Sequence, residues 1–95
     1  MSLSNAQVKK LKAHAHSLKP VVRLGQSGLT TSVLDEVELA LNHHELIKVK
    51  VSGSDRDEKK EMISTIAEKT QSVVIQSIGS VAVFFRENPD KKSYS

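Results

Sequence analysis

The sequence has no cysteine and no tryptophan, and only two prolines, four glycines, two phenylalanines and one tyrosine among 95 residues. Without thiols there are no disulfides, thiolate-held metals or cysteine nucleophiles, and a reducing, cytoplasmic setting is the expectation. Few rings mean an aliphatic core. No apolar run approaches the roughly 18 residues of a membrane span, and the stretch MSLSNAQVKKLK lacks the apolar segment of a secretory signal. Neither membrane insertion nor export is expected. The length suits one domain, because two would each be too small to bury a core.

Charge is present but unevenly placed. The net value of +3 is mild, so its distribution matters more than its size. Residues 1–24 hold Lys9, Lys10, Lys12, Lys19 and Arg23 with no acid, whereas residues 25–53 hold Lys48 and Lys50 against four acids. The positive potential gathers in the N-terminal quarter. His14 and His16 can add to it when a nearby polyanion raises their pKa. A solvated helix face and a nucleic-acid surface both fit such a cluster.

Ser4 and Gln7 have capping-box spacing, and Val8, Leu11, Ala15 and Leu18 follow at three- and four-residue steps, which predicts a helix over about 5–17. Lys9, Lys12 and His16 lie away from that stripe, and Lys10 and His14 form a second exposed pair. Pro20 ends the helical register, and Val21 to Leu24 read as a short strand. Val33, Leu34, Val37, Ala40 and Leu41 mark a second helix ending near His43. From Leu46 to Val51 apolar and basic residues alternate, a strand that sets Ile47, Val49 and Val51 against Leu46, Lys48 and Lys50. Met62, Ile63, Ile66 and Ala67 place a third helix at about 55–70. Residues 73–78 and 81–86 form strands around Gly79-Ser80, an antiparallel hairpin.

The predicted fold class is α/β, a single α-β-α-β-α-β-β domain with a mixed four-stranded sheet. With the helices on one sheet face, Lys48 and Lys50 would lie on an open one. Phe84 and Phe85 alternate sides, so at least one is expected in the core, with exposure of the other left open. The domain is expected to span 1–87, followed by a polar, proline-interrupted tail at 88–95 that frays.

Gly25-Gln26-Ser27-Gly28 lies between a strand and a helix, where glycines admit a phosphate and the helix N-terminus offers free N–H donors. An ordinary tight turn is the plainer meaning of two glycines three apart. It is neither a Walker loop nor a dinucleotide fingerprint, so no mononucleotide cofactor is expected. His14-Ala15-His16 and His43-His44-Glu45 lack metal-ligand spacing, and no nucleophile elbow occurs. The acids Asp55, Asp57, Glu58 and Glu61 suit the first turns of the third helix.

Three stretches carry a resemblance: Leu18-Lys19-Pro20-Val21-Val22, Gly25-Gln26-Ser27-Gly28-Leu29-Thr30, and the run from Leu41 to Lys50. With Ile78-Gly79 they resemble the small YhbY-type bacterial proteins of the chloroplast RNA splicing and ribosome maturation (CRM) domain family over nearly the whole chain. The resemblance implies a fold similar to the C-terminal domain of bacterial initiation factor three, no catalysis, and binding of ribosomal RNA in large-subunit precursor particles. It carries the family's KH-like GxxG contact onto Gly25, Gln26, Ser27 and Gly28. Many members have a lysine or arginine between the glycines, whereas Gln26 and Ser27 are neutral. The loop would then supply backbone hydrogen bonds, and the first helix, Lys19, Arg23, Lys48 and Lys50 the charge.

With few rings to stack on, shape and phosphate contacts should outweigh base readout. The expected protein is thus a non-enzymatic binder of structured ribosomal RNA, with no small-molecule substrate. Its alternatives are a regulatory or translation-linked RNA-binding module and a basic adaptor for an acidic protein.

Overall fold

In the computed structural model, which describes residues 3–25, 28–52 and 55–94, seven elements follow in the expected order. They are α1 (Asn5–Ala15), β1 (Pro20–Leu24), α2 (Thr31–His44), β2 (Leu46–Val51), α3 (Arg56–Thr70), β3 (Val73–Ile78) and β4 (Val81–Phe85). Each helix starts where a side chain satisfies an orphan amide. Ser4 Oγ accepts from the Gln7 N–H at 3.1 Å while Gln7 Oε1 accepts from the Ser4 N–H at 2.8 Å, a complete capping box. Thr30 Oγ1 accepts from the Val33 N–H, and Asp55 Oδ1 from the Glu58 N–H. α3 stops at Gln71, which is left-handed.

The sheet order is β1-β2-β4-β3. β1 and β2 run parallel, β4 is antiparallel to both β2 and β3, and the mixed four-stranded sheet agrees with the sequence expectation. β4 lies between β2 and β3, so those two run in the same direction without touching.

Two cores occupy opposite sides of this sheet. On one side Val22, Leu24, Ile47, Val49, Val51, Ala82 and Phe84 pack beneath Val37 and Leu41 of α2 and Ile63 and Ile66 of α3. On the other, Leu46, Ile75, Val83 and Phe85 receive Leu11 and Ala15 of α1. The second face is therefore not fully open: α1 covers its Leu46–Phe85 end. Phe84 and Phe85 are consequently both buried, on opposite sides. The alternation predicts at least one in the core, and both are there, because α1 packs across the sheet from the other two helices.

The C-terminal segment also departs from expectation. Residues 88–94 fold back over the α2–β2 junction, and the device that holds them is Glu45, a fully buried acid. Its Oε2 accepts from the Asn88 N–H and its Oε1 from the Ser93 N–H, both at 2.9 Å, and its backbone carbonyl accepts from the Arg86 N–H. Nearby, Asn88 Nδ2 donates to the Asn42 carbonyl and Lys91 Nζ to that of His43, meeting the orphan carbonyls of the α2 terminus. Tyr94 then lies edge-on to Phe85 and to His14 of α1, with ring centroids 6.1 and 5.2 Å away. Arg86 completes the junction, bonding Glu38 Oε2, the Thr70 carbonyl and Asn42 Oδ1.

Burial pushes the Glu45 pKa up, but the Asn88 and Ser93 hydrogen bonds and the Lys91 charge outweigh it, so the group is held below the ordinary 4.5. A lowered folded-state pKa adds stability above the unfolded value and loses it as pH falls through the folded one. Acidification below 4.5 should therefore release residues 88–94, read as lost amide-exchange protection at Asn88 and Ser93. At neutral pH, Glu45→Ala should abolish the same protection and cost about 2–4 kcal/mol in urea unfolding, because two part-buried backbone donors lose their charged acceptor.

Candidate functional site

Strand register decides which cations stand together. Arg23 of β1 is the direct partner of Lys50 in β2, while the flanking pairs Val22–Val49 and Leu24–Val51 both point into the α2/α3 core. Alternation then sends Arg23, Lys48 and Lys50 to the α1 side. Neighbouring strands are about 4.8 Å apart and alternate residues about 6.6 Å along a strand, so these three cations form a tight triangle. Across the sheet, Lys50 faces Val81 and then Ile78, and Lys48 faces Val83 and then Gln76. Neither row contains a carboxylate. Like charges placed side by side repel, and an incoming anion relieves that repulsion.

Lys48 and Lys50 are half-buried and Arg23 is exposed. Long aliphatic stems lie along the apolar sheet while the charged ends reach solvent. A shift in register between Pro20 and Val22 sets Val21 out of the ladder, 51% exposed beside this triangle.

The remaining cations flank it. Lys9, Lys10 and Lys12 are exposed on α1, which seats on the sheet through Leu11 and Ala15, at the end where β2 begins and β4 finishes. Lys19 is exposed between α1 and β1. The glycine turn lies at the opposite end, where β1 and β2 finish. The Gly28 N–H donates to the Gly25 carbonyl at 3.0 Å, just before the Thr30 cap. Gln26 and Ser27 lie outside the described residues. β1 thus carries Arg23 between Lys19 before the strand and Gly25 after it, with Lys48 and Lys50 on the neighbouring strand.

Gly28 has φ +71°, whereas a Cβ there would meet only Met62 Sδ, at 4.0 Å. The requirement for glycine is conformational rather than steric. Gly25, with no positive φ and open space around it, lacks that requirement.

The histidine readings resolve differently. His43 and His44 are exposed at the α2 terminus. Glu45, their neighbour in sequence, has both carboxylate oxygens engaged by Asn88 and Ser93. Among the described residues no group of three or more His, Asp or Glu side chains could hold a metal ion, and no helix is long and apolar enough to cross a membrane. Sequence reasoning missed Glu45 and Tyr94, which seat the tail against α1. An acid at a helix C-terminus, where the dipole disfavours negative charge, was the available signal.

Comparison with known proteins adds the following. The CRS1/YhbY (CRM) domain model matches residues 3–86. The chain is 50% identical over 91 residues to an RNA-binding protein of Haemophilus influenzae, covering 96% of this chain and 92% of that one. It is 43% identical over 89 residues to a probable RNA-binding protein of Pseudomonas aeruginosa, covering 94% and 86%. The solution structure of a Staphylococcus aureus protein, described as a candidate RNA binder, superposes with a TM-score of 0.83 at 34% identity, covering 97% and 96%.

The positive φ at Gly28 sets an expected outcome: Gly28→Ala should cost about 1–2 kcal/mol by thermal or urea unfolding, from left-handed strain. Gly25→Ala should cost markedly less in the same measurement.

Proposed function

The chain belongs to the CRS1/YhbY (CRM) domain family, and from that membership we propose that it is a non-enzymatic RNA-binding protein that docks structured ribosomal RNA and assists assembly of the large ribosomal subunit. The observation that carries the reading is the Arg23/Lys48/Lys50 triangle, three cations with no acid in their rows, between the lysines of α1 and the glycine turn. An RNA backbone presents phosphates at the spacing such a path can follow.

Lys9, Lys10, Lys12 and Lys19 extend the charged surface, and Gly25, Gln26, Ser27 and Gly28 add backbone donors beside the α2 N-terminus. The described phenylalanine and tyrosine rings are Phe84 and Phe85, both buried, and Tyr94, occupied against Phe85 and His14. Base stacking on a sheet platform is thereby disfavoured, and recognition by shape and phosphate contacts is left. Residues 1–87 act as the binding domain and 88–95 as its C-terminal appendage. Large-subunit precursor particles in the cytoplasm are the natural partners of such a surface. Glu45, fully buried, has its oxygens committed to the tail, which suits binding rather than acid–base chemistry.

Two measurements test this. Binding to a ribosomal RNA fragment should fall linearly on a log–log salt plot, and the slope should shrink by about 1 for each phosphate-contacting cation removed. Arg23, Lys48 and Lys50 changed together to Gln should lower the slope by about 3 in a folded protein; an unchanged slope moves the contact off the sheet face. Lys9, Lys10 and Lys12 changed to Glu should likewise weaken binding, and Gly28→Asp should add repulsion to backbone strain. In lysate gradients the protein should travel with large-subunit precursors at low salt and leave them at high salt. Migration in the free fraction at both would favour a regulatory RNA or an acidic protein as the target.

A further inference from the structure

A second recess lies at the far edge of the sheet, apart from the cationic path. β3 is an outer strand, paired with β4 on one side only. Between it and α3 runs a trough of about 760 Å³. α3 lines it at four-residue steps, Lys59, Ile63 and Ala67 along one row, with Arg56 and Lys60 beside them; Val74 of β3 forms the opposite wall. Val74 is 37% exposed, although it lies on the α3 side of the sheet. The floor is apolar and one end is cationic. Asp55 is the acid that lines that end, its carboxylate engaged in capping α3, while Asp57 and Glu58 stand in the same first turn outside the lining.

We propose that this trough takes an extended protein segment that adds to the free edge of β3 as a fifth strand. The segment would have apolar residues at alternate positions and acidic residues at one end. Three features select that occupant. An outer strand presents unused N–H and C=O groups that an extended backbone satisfies, and a helix alongside supplies pockets for every second side chain. From Arg56 to Ala67 the helix wall is about 16 Å long, room for about five residues of extended chain. Finally, β3 returns antiparallel to α3 after a short turn, so Ser77 and Gly79 line the same end as Arg56 and Lys60; the acidic end belongs at the β3–β4 turn.

RNA is the poorer fit, because no ring lines the trough on which a base could stack. The site is independent of the RNA reading, being on the α2/α3 side of the sheet. Its occupation would let the domain hold a protein and a polyanion together.

The test uses the full isotope-labelled chain and a capped peptide in which valine alternates with threonine before three terminal glutamates. Amide shifts should concentrate in 73–78 and along α3. Affinity should fall about tenfold, roughly 1.4 kcal/mol, in the Lys59→Glu/Lys60→Glu variant and for a peptide ending in lysines. Val74→Asp, at an exposed wall position, should weaken binding without unfolding. Bound ribosomal RNA should leave the peptide in place. The proposal is overturned by shifts on α1, Arg23 or Lys50 instead, by no binding at millimolar peptide, or by oligouridylate displacing the peptide from the same amides, which would make the trough an RNA subsite.

Discussion

A carboxylate without solvent organises this molecule. Glu45 sits where α2 ends and β2 begins, with φ +63°, fully buried. That conformation is unfavourable for a residue with a side chain, and the helix dipole opposes its charge. An uncompensated ion in such a place costs several kcal/mol. The backbone N–H groups of Asn88 and Ser93 offset that cost, each a charge-assisted hydrogen bond of about 1.5–3 kcal/mol. The acid and the C-terminal segment therefore require one another. The returning segment carries Tyr94 onto Phe85 and His14, and so closes the second core on which α1 rests. With only Leu11 and Ala15 fully buried on α1, that closure helps decide where Lys9, Lys10 and Lys12 stand.

The elements were legible because their signals are local. Ser4 and Gln7 announce the capping box three residues apart, Leu46 to Val51 alternate at the strand period, and Gly79-Ser80 separate two β-branched runs. Each of these patterns reappears in the structure at the expected residues. Phe85 and the tail were not legible. Whether a phenylalanine two residues beyond Val83 meets water depends on α1, some 70 positions earlier in the chain, choosing the opposite side of the sheet. The polar composition of 88–95 describes a chain without a core of its own; it does not register an acid at position 45 able to hold two of its amides.

The candidate site divides along the same line. A cluster of lysines with no acids in the first 24 residues is a property of the string, and Lys9, Lys10 and Lys12 are exposed on α1 as read, with Lys19 exposed just beyond it. The triangle is different. Lys48 and Lys50 alternate visibly, yet Arg23 joins them only through the parallel register of β1 on β2, with its irregularity at Val21. No spacing in the sequence encodes that pairing. The trough beside α3 is equally a product of sheet order: because β4 inserts between β2 and β3, β3 becomes the outer strand and its edge stays free.

The two sides of the sheet end up electrostatically unlike, and this bears on how a net charge of only +3 can be used. α2, on the side away from α1, carries Asp35 and Glu36 exposed and Glu38 half-buried against Arg86. The cations of α1, Arg23, Lys48 and Lys50 occupy the other side. A polyanion approaching α2 meets its exposed acids, while α3 beside it interleaves Arg56, Lys59 and Lys60 with Asp57, Glu58 and Glu61; one approaching the α1 side meets attraction that strengthens within a Debye length of about 8–10 Å. Separation of charge, rather than its sum, therefore orients the encounter. A more uniformly basic domain of this size would bind phosphate from any direction. Holding the acids of α2 away from the cations of α1, β1 and β2 keeps a mild net charge from being spread evenly over the surface.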